Sequence, residues 1–390
     1  MYHVSRKRGG KVIITGIIAE FNPLHQGHES LLRFAQSLPD SEGVIVILSS
    51  NFTQRGSPSV ADKFARAYTA VMAGADVVIE LPFMCACSAG QDFARGAVNI
   101  LGRLGCVSRI AFGMENPEFD AETLAGILAD EPGAYREILR REIGRGASFP
   151  KAVSIALEEI FPGAGDFITR PNNMLAVSYM AGIIRGGYDI EAVPFRRIDG
   201  ASSRAIRGNL AGNAHMMPGY SREILAEAER SGRLSDEGRL WPLLQGIFIR
   251  SGAEDLRGIY GVVEGIEGLF LKHWRKSSGL EDFTGRCVCA RYTRSHIRRR
   301  LIYILLGLRR GVCVKGEVPY ARVLAFTEKG RGILRMCREV SRIPVITRLK
   351  DAEGETGKFF AETEYKASQL YELTLSRPDM SRESHKVLMT

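Results

Sequence analysis

The sequence lacks the marks of several common protein classes. It has no uninterrupted apolar run of the roughly 18–20 residues that a membrane span requires, and no signal-peptide pattern at its basic start. The P-loop motif Gly-x-x-x-x-Gly-Lys-Ser/Thr is absent, as is the Gly-x-Gly-x-x-Gly motif of dinucleotide oxidoreductases. The zinc motif His-Glu-x-x-His is also missing. We therefore expect a soluble protein with no membrane partner and no protein-held metal.

Cysteine is sparse and irregularly spaced, with seven residues in a chain of 390. Two Cys-x-Cys pairs occur, Cys85/Cys87 and Cys287/Cys289, but they lie in opposite halves of the chain. Zinc sites usually draw on closely spaced Cys-x-x-Cys pairs, which this pattern does not match. We expect reduced, buried thiols that pack as small apolar groups, and hence a cytoplasmic protein.

Negative charge is in deficit, since 53 lysines and arginines face 44 acidic residues, for a net charge of +9. The segment Arg291–Arg310 holds seven arginines and no acidic residue, and its apolar residues recur at helical spacing. A solvated helix face is one interpretation. Arginines without carboxylates favour contact with a phosphate backbone, which makes this helix a candidate RNA-binding element. The candidate contacts are Arg294, Arg298, Arg299 and Arg300.

The first half alternates near-continuous Val/Ile runs with helical patterns, which indicates a parallel sheet covered on both faces. The predicted strands are Val12–Ile18, Gly43–Leu48, Asp76–Leu81, Val107–Phe112 and Tyr188–Phe195. Beyond Gly208 a Gly-, Asn- and Met-rich stretch reads as a linker, and helical patterns follow. We predict an α/β fold with a flexible extension over 1–11, a Rossmann-like catalytic domain over 12–208, and a mainly helical basic domain over 209–390.

The most informative segment follows the first strand and reads Glu-Phe-Asn-Pro-Leu-His-Gln-Gly-His, ending in His25 and His28. Two imidazoles at a helix N-terminus, where N–H groups and the macrodipole face outward, suit the phosphates of a nucleotide. Gly27 between them has no Cβ and permits close approach. Polar turn residues that merely cap a helix are the alternative, but the position after the first strand favours phosphate binding. We predict His25 and His28 as catalytic residues.

Other polar segments also follow strands, and the carboxyl ends of parallel strands are where ligands bind. The loop Asn51–Gly56 is a candidate substrate contact or an ordinary exposed loop. Asn172 and Asn173 open a helix, where they serve either as caps or as contacts to adenine or ribose. Ser202, Ser203 and Arg207 form a serine-rich turn with a short basic helix that suits phosphates.

Taken in order, these motifs resemble one family. The segments are GIIAEFNPLHQGH, SSNFTQRGSPSVADKFARA, GADVVIELPF, AFGMEN, RPNNMLAV and ASSRAIR, followed by YTRSHIRRRLIYILLG and PYARVLAF. Together they resemble the bacterial tRNA(Met) cytidine acetate ligase family of the His-x-Gly-His nucleotidyltransferase superfamily. The chain departs from the superfamily pattern at Arg204, where threonine is usual.

The resemblance implies an enzyme that uses ATP to convert free acetate to acetyl-adenylate, and we expect Mg²⁺ to help stabilise the charge on the phosphates. The acetyl group then passes to N4 of the wobble cytidine of elongator tRNA(Met). Nothing in the sequence indicates an oligomeric state. The ATP site implied by the resemblance comprises Ile18, Ala19, Glu20, Phe21, Asn22, Pro23, Leu24, His25, Gln26, Gly27, His28, Glu29, Ser30, Leu31, Gly113, Asn172 or Asn173, Arg197 and Ile198.

Acetate is already ionised at neutral pH, so its attack on the α-phosphorus needs no general base. The first step instead requires stabilisation of charge on the phosphates. Two other functions remain open. One is a small-molecule adenylyltransferase, which would have no need of a large basic second half. The other is a non-catalytic RNA-binding protein that retains an unused nucleotide site.

Overall fold

The structure is a computed structural model that describes residues 12–197, 200, 202–263, 265–311, 317–384 and 387–389. The predicted extension 1–11 and the site candidate Ile198 lie outside the described residues.

Across the described ranges, one mixed sheet of eight strands forms the centre of the molecule. The strands are β1 (Ile13–Ala19), β2 (Ser41–Ser49), β3 (Val77–Leu81), β4 (Val107–Met114), β5 (Glu191–Arg196), β6 (Ala321–Phe326), β7 (Val345–Ile346) and β8 (Leu388–Met389). Their order is β5-β4-β1-β2-β3-β6-β7, with β8 also beside β6. The first five pair in parallel, so the predicted α/β class is confirmed.

Helices connect the parallel strands and cover both faces of the sheet. Those before residue 209 are α1 (Gln26–Ser37), α2 (Lys63–Met72), α3 (Phe83–Ala86), α4 (Gly90–Leu104), α5 (Ala121–Asp130), α6 (Gly133–Gly144), α7 (Phe149–Ile160), α8 (Ala164–Thr169), α9 (Pro171–Gly186) and α10 (Ser203–Gly208). The later ones are α11 (Gly219–Arg230), α12 (Leu240–Arg250), α13 (Ala253–Arg257), α14 (Ile266–His273), α15 (Leu280–Cys287), α16 (Arg294–Leu306), α17 (Glu328–Val340) and α18 (Gly354–Glu372).

The second half of the chain returns to the sheet. Strand β6 pairs antiparallel with β3, from Val77 opposite Phe326 to Glu80 opposite Arg322. The boundary predicted at Gly208 therefore does not mark the end of the sheet. The division into 12–208 and 209–390 stays a prediction.

Apolar side chains of the strands pack on both faces. On one face Ile17, Val44 and Val46 pack with residues of α1 and α2, such as Leu32 and Ala67. On the other face the sheet packs against α4 and α9 in a core that continues into the helices of the second half. Alternate residues of each strand point to opposite faces, which explains why these strands are apolar almost throughout.

Lys63 lies at the start of α2 and is fully buried. Its Nζ lies 2.5 Å from Glu80 Oε1, 2.8 Å from Glu364 Oε1 and 2.9 Å from Glu383 Oε1. Arg322 from β6 contacts Glu80 and Glu383 in the same network. These ion pairs hold the end of the chain against the sheet.

The expectation that all cysteines are reduced is wrong for one pair. Cys106 and Cys337 form a disulfide with a Cα–Cα distance of 5.4 Å, linking the start of β4 to α17. The sequence did not predict this disulfide, because the two cysteines are 231 residues apart and share no local motif. Cys85, Cys87 and Cys287 are free and buried, as expected of apolar packing groups, whereas Cys289 is exposed. Among the residues described, no helix is both long enough and apolar enough to cross a membrane.

Candidate active site

A cavity of about 360 Å³ opens at the carboxyl ends of β1 and β4. One part of its wall is apolar and aromatic and includes Phe112, Leu175, Tyr179 and Phe195. The rest is polar and cationic and is lined by His25, His28, Arg55, Arg197, Ser202, Ser203, Arg204 and Arg207. An apolar slot beside a cluster of cations suits a ligand with a flat ring at one end and negative charge at the other.

His25 and His28 define the start of α1 through two reciprocal hydrogen bonds. His25 is the N-cap residue, and its Nδ1 accepts from the N–H of Gly27 at 3.1 Å. The N–H of His25 in turn donates to Nδ1 of His28 at 3.3 Å. The two rings stack with centroids 3.7 Å apart. Because both Nδ1 atoms accept, both imidazoles are assigned as Nε2–H tautomers whose remaining polar atom is a donor.

The environment keeps both imidazoles neutral. Burial, together with the nearby Arg197 guanidinium, lowers the pKa of His25 to about 4. Burial also lowers the pKa of His28 far below its usual value, and His25 and Arg197 add to the effect. Neutral Nε2–H groups can donate to a phosphate without first losing or gaining a proton.

Gly27 is required by the packing of the histidines. A Cβ at this position would lie 3.1 Å from Cε1 and 3.2 Å from Nδ1 of His25. A side chain would therefore displace the imidazole ring. Gly113 in β4 has a different role, because a Cβ there would meet nothing within 4 Å, and the residue lines the cavity.

The serine-rich helix α10 is fastened to the turn that precedes the histidines. Ser203 Oγ donates to the carbonyl oxygen of Pro23 at 3.1 Å, and Arg207 donates to that of Asn22. Asn22 Oδ1 accepts from the N–H of Val60 at 2.7 Å and fixes the turn from the other side. The two motifs that the sequence placed in one phosphate site are thus adjacent in space.

The two asparagines of α9 have different surroundings. Asn173 is fully buried, and its Oδ1 accepts from the N–H groups of Glu115 and Asn116 at 2.8 and 3.3 Å. Its Nδ2 donates to Asn116 Oδ1 and to the carbonyl oxygen of Phe167. Asn172 lines the cavity and donates to Glu115 Oε1 at 2.7 Å. Asn172 is therefore the one placed to meet a ligand.

Most of the ATP-site candidates line this cavity. They are Ile18, Ala19, Glu20, Phe21, Asn22, His25, Gly27, His28, Leu31, Gly113, Asn172, Arg197, Ser202, Ser203 and Arg207. The structure places the other described candidates off the wall, namely Pro23, Leu24, Gln26, Glu29, Ser30 and Asn173. Leu24 is a core residue, and Gln26, Glu29 and Ser30 form hydrogen bonds along or beside α1.

Sequence reasoning missed the aromatic wall, because Phe93, Phe112, Tyr179 and Phe195 carry no motif of their own. It treated the loop Asn51–Gly56 as an even choice between a substrate contact and an exposed loop. In the structure Gln54 and Arg55 of this loop line the cavity. The Gln54 N–H donates to Glu20 Oε1 at 2.8 Å, and Arg299 donates to the Gln54 carbonyl oxygen at 2.9 Å.

Helix α16 has the buried apolar face that its spacing predicted, with Ile297, Leu301 and Ile304 all buried. Its arginines are not free of carboxylates, because other elements supply them. Arg298 pairs with Glu237 at 2.9 Å and with Glu281 at 2.5 Å, and Arg294 also pairs with Glu281.

The remaining two arginines contact backbone. Arg299 is buried against Gln54, and Arg300 donates to the carbonyl oxygen of Gly261 at 2.7 Å. Arg294 is the one of the four whose side chain is half exposed.

Two stacked imidazoles lie at the N-terminus of α1, directly after the first strand of a mostly parallel sheet. This arrangement is typical of a nucleotidyltransferase. The sequence profile of the HIGH Nucleotidyl Transferase family accordingly matches residues 12–386. Among curated proteins, the tRNA(Met) cytidine acetate ligase of Clostridium perfringens is 31% identical over 387 residues, covering 92% of this chain and 94% of the relative. The enzyme of that name from Caldicellulosiruptor saccharolyticus is 32% identical, with 96% and 95% covered.

Two solved structures extend the comparison. Thermotoga maritima TmcAL bound with alpha-thio ATP superposes with a TM-score of 0.88 at 30% identity, over 97% of this chain and 99% of that chain. Its apo form gives a TM-score of 0.89 at 28% identity and the same coverage. The chain therefore belongs to the tRNA(Met) cytidine acetate ligase family.

Proposed function

We propose that this protein is an ATP-dependent ligase that joins acetate to N4 of the wobble cytidine of elongator tRNA(Met). The observation that carries the proposal is the pair of neutral Nε2–H imidazoles, which lie at a helix N-terminus inside a cavity otherwise rich in arginine. The names of the relatives and the ATP analogue bound to the Thermotoga protein support the same activity.

In the first step, an acetate oxygen attacks the α-phosphorus of ATP, and the bond to pyrophosphate breaks. His25 and His28 donate to the phosphoryl oxygens as their charge grows, and the N-terminus of α1 adds its dipole. Arg207, with the exposed Arg204, faces the negative charge of the leaving pyrophosphate. The aromatic wall and Asn172 hold the adenosine end.

Mg²⁺ fits this site as a companion of the nucleotide. Within the described ranges, no group of three or more His, Cys, Asp or Glu residues is arranged to hold a metal. Mg²⁺ commonly binds through substrate phosphates and waters with few protein ligands. When bound, it neutralises phosphate charge, while the side chains above orient the nucleotide.

A tRNA is a polyanion, which matches the net positive charge of the protein. Because tRNA is a cytoplasmic substrate, the proposal implies a cytoplasmic enzyme. The exposed Arg55 and Arg204 lie at the cavity and can meet the anticodon loop. Arg294 and Arg300 can contact backbone phosphates further out. In this proposal Arg298 and Arg299 act mainly by holding α16 and the Gln54 loop in place.

Acetate-dependent exchange of labelled pyrophosphate into ATP tests the first step, and nucleoside analysis of the tRNA tests the second. The wild-type protein should catalyse the exchange and form N4-acetylcytidine. The variant His28→Ala should lose the exchange while tRNA binding persists. His215→Ala is the matched control, because His215 is exposed and does not line the cavity. A wild-type protein without acetate-dependent exchange, or His28→Ala with full exchange, would refute the proposal.

A further inference from the structure

We propose that Glu20 is the general base of the second step and accepts a proton from N4 of the cytidine as the acetyl group is transferred. This inference rests on the function proposed above. The first step needs no base, but the second does, because the exocyclic amine of cytosine is a weak nucleophile. Its lone pair is delocalised into the ring, and it must lose a proton when it forms an amide.

Glu20 is the single carboxylate among the described residues that line the cavity. It follows the last residue of β1 and immediately precedes the turn that leads to His25 and His28. The other charged groups of the lining are arginines, at positions 55, 197, 204 and 207. A lone carboxylate among cations is an unfavourable neighbour for triphosphate, which makes a purely nucleotide-binding role a poor explanation for it.

The position of this carboxylate is set by backbone contacts. Its Oε1 accepts the Gln54 N–H at 2.8 Å, and its own carbonyl oxygen accepts from Arg66 at 2.7 Å. Arg66 is buried and also donates to the carbonyl oxygens of Ser49 and Ser50. In the described part of the chain this carboxylate forms no direct ion pair, although its charge acts on Arg66 and Arg207. One oxygen is therefore held by the loop and the second remains available as a proton acceptor.

The loop that holds Glu20 also lines the cavity. Gln54 and the exposed Arg55 lie there, and Arg299 of α16 supports the loop through the Gln54 carbonyl oxygen. A base that is turned out of the anticodon stack and held by Arg55 would come close to Glu20. The helix proposed to face the tRNA is thus connected to Glu20 through the backbone of a single residue, Gln54.

N4 attacks the carbonyl carbon of acetyl-adenylate, a C–N bond forms, and one N4 proton moves to the Glu20 carboxylate. The C–O bond to the phosphate then breaks, its electron pair leaves with AMP, and the proton on Glu20 passes to solvent. The products are N4-acetylcytidine and AMP.

Glu20→Gln separates the two steps, because the amide oxygen can still accept from the Gln54 N–H while the side chain can no longer take a proton. We expect acetate-dependent pyrophosphate exchange to lose far less than the transfer step does. Transfer of acetyl from pre-formed acetyl-adenylate to tRNA should fall by about 100-fold or more. Glu42→Gln is the matched control, since Glu42 is exposed near the start of β2, at the opposite end of the sheet.

Glu20→Asp provides a second variant, because it keeps a base at a shorter reach. Its transfer rate should lie between those of wild type and Glu20→Gln. Equal loss of exchange and transfer in Glu20→Gln would assign Glu20 to nucleotide binding and overturn the inference. Unchanged transfer would overturn it as well. A wild-type enzyme without exchange would instead sink the proposed function itself.

Discussion

The guanidinium of Arg299 donates a 2.9 Å hydrogen bond to the carbonyl oxygen of Gln54. The N–H of the same Gln54 holds the Glu20 carboxylate at the cavity wall. An arginine of the basic helix is therefore two hydrogen bonds from the Glu20 carboxylate. Arg299 and Gln54, which form the first of these bonds, are 245 positions apart in sequence. This contact gives Arg299 a structural task that its sequence context did not reveal.

Arg299→Ala should lower the free energy of unfolding by about 1–3 kcal/mol, because it removes a buried partner of the Gln54 carbonyl oxygen. It should leave the salt dependence of tRNA binding unchanged. Arg294→Ala should leave the free energy of unfolding nearly unchanged. It should reduce the slope of log tRNA affinity against log salt concentration, since the Arg294 side chain is half exposed. Denaturant unfolding and filter binding at several salt concentrations check both variants. A flattened salt slope in Arg299→Ala at unchanged stability would place Arg299 on the RNA.

Asn172 and Asn173 should separate binding from stability. Asn173→Ala leaves two N–H groups and a carbonyl oxygen without partners in a buried site, and we expect a loss of at least about 2 kcal/mol in unfolding free energy. Asn172→Ala should cost about 1 kcal/mol or less and weaken ATP binding. Thermal unfolding and calorimetric ATP titration distinguish them. Similar effects of both variants on stability would contradict the assignment.

The paired imidazoles should stay neutral well below the ordinary pKa of histidine. The folded pKa of His25, about 4, lies below its unfolded value of 6.5, so the folded state binds fewer protons. The contribution of the neutral His25 imidazole to the free energy of unfolding is complete above about pH 6.5. It is lost as the pH falls toward the folded pKa, at up to about 1.4 kcal/mol per pH unit. Nitrogen NMR of the rings should show Nε2–H tautomers without a titration midpoint near 6.5. A midpoint there would mean that the pair is not desolvated.

Lys63→Met should destabilise the protein strongly. Burial alone would lower the pKa of Lys63, but Glu364, Glu383 and Glu80 outweigh it and raise the pKa above its usual value. Removing the ammonium group leaves three buried carboxylates with Arg322, at a cost of about 3–5 kcal/mol.

Lys329→Met is the matched lysine control, because Lys329 is mostly exposed and pairs with Asp76 at 3.5 Å. It should change stability by about 0–1 kcal/mol. Chemical unfolding of both variants provides the comparison, and equal small losses would show that the buried network tolerates the missing charge.

Periodicity and local chemistry were sufficient for the first half of the fold. Runs such as Gly43–Leu48 can hardly be anything but buried strands, and the position of His25 and His28 after such a strand indicated a phosphate site. Both inferences use neighbours in sequence. The antiparallel pairing of Val323 with Ile79, and the disulfide between Cys106 and Cys337, join residues that share no local pattern.

The arginines of α16 also have partners that the local sequence could not predict. The segment around Arg298 contains no acidic residue, so its sequence favoured a free cationic surface. Glu237 and Glu281 reach it from other elements. The burial of Lys63 was equally hidden, because two of its three carboxylate partners lie more than 300 residues away. Charge partners set by tertiary packing cannot be read from one segment.

Lys63 and Glu383 touch although 320 residues separate them. On the ribosome, the half of the protein that carries the histidines emerges first. At that stage β3 has not yet paired with β6, and Lys63 can contact only Glu80 of its three carboxylate partners. The buried network can be completed only after Glu383 has left the exit tunnel. A nascent chain that stalls short of Glu383 would therefore carry the histidine pair while Lys63 still lacks one of its buried carboxylate partners.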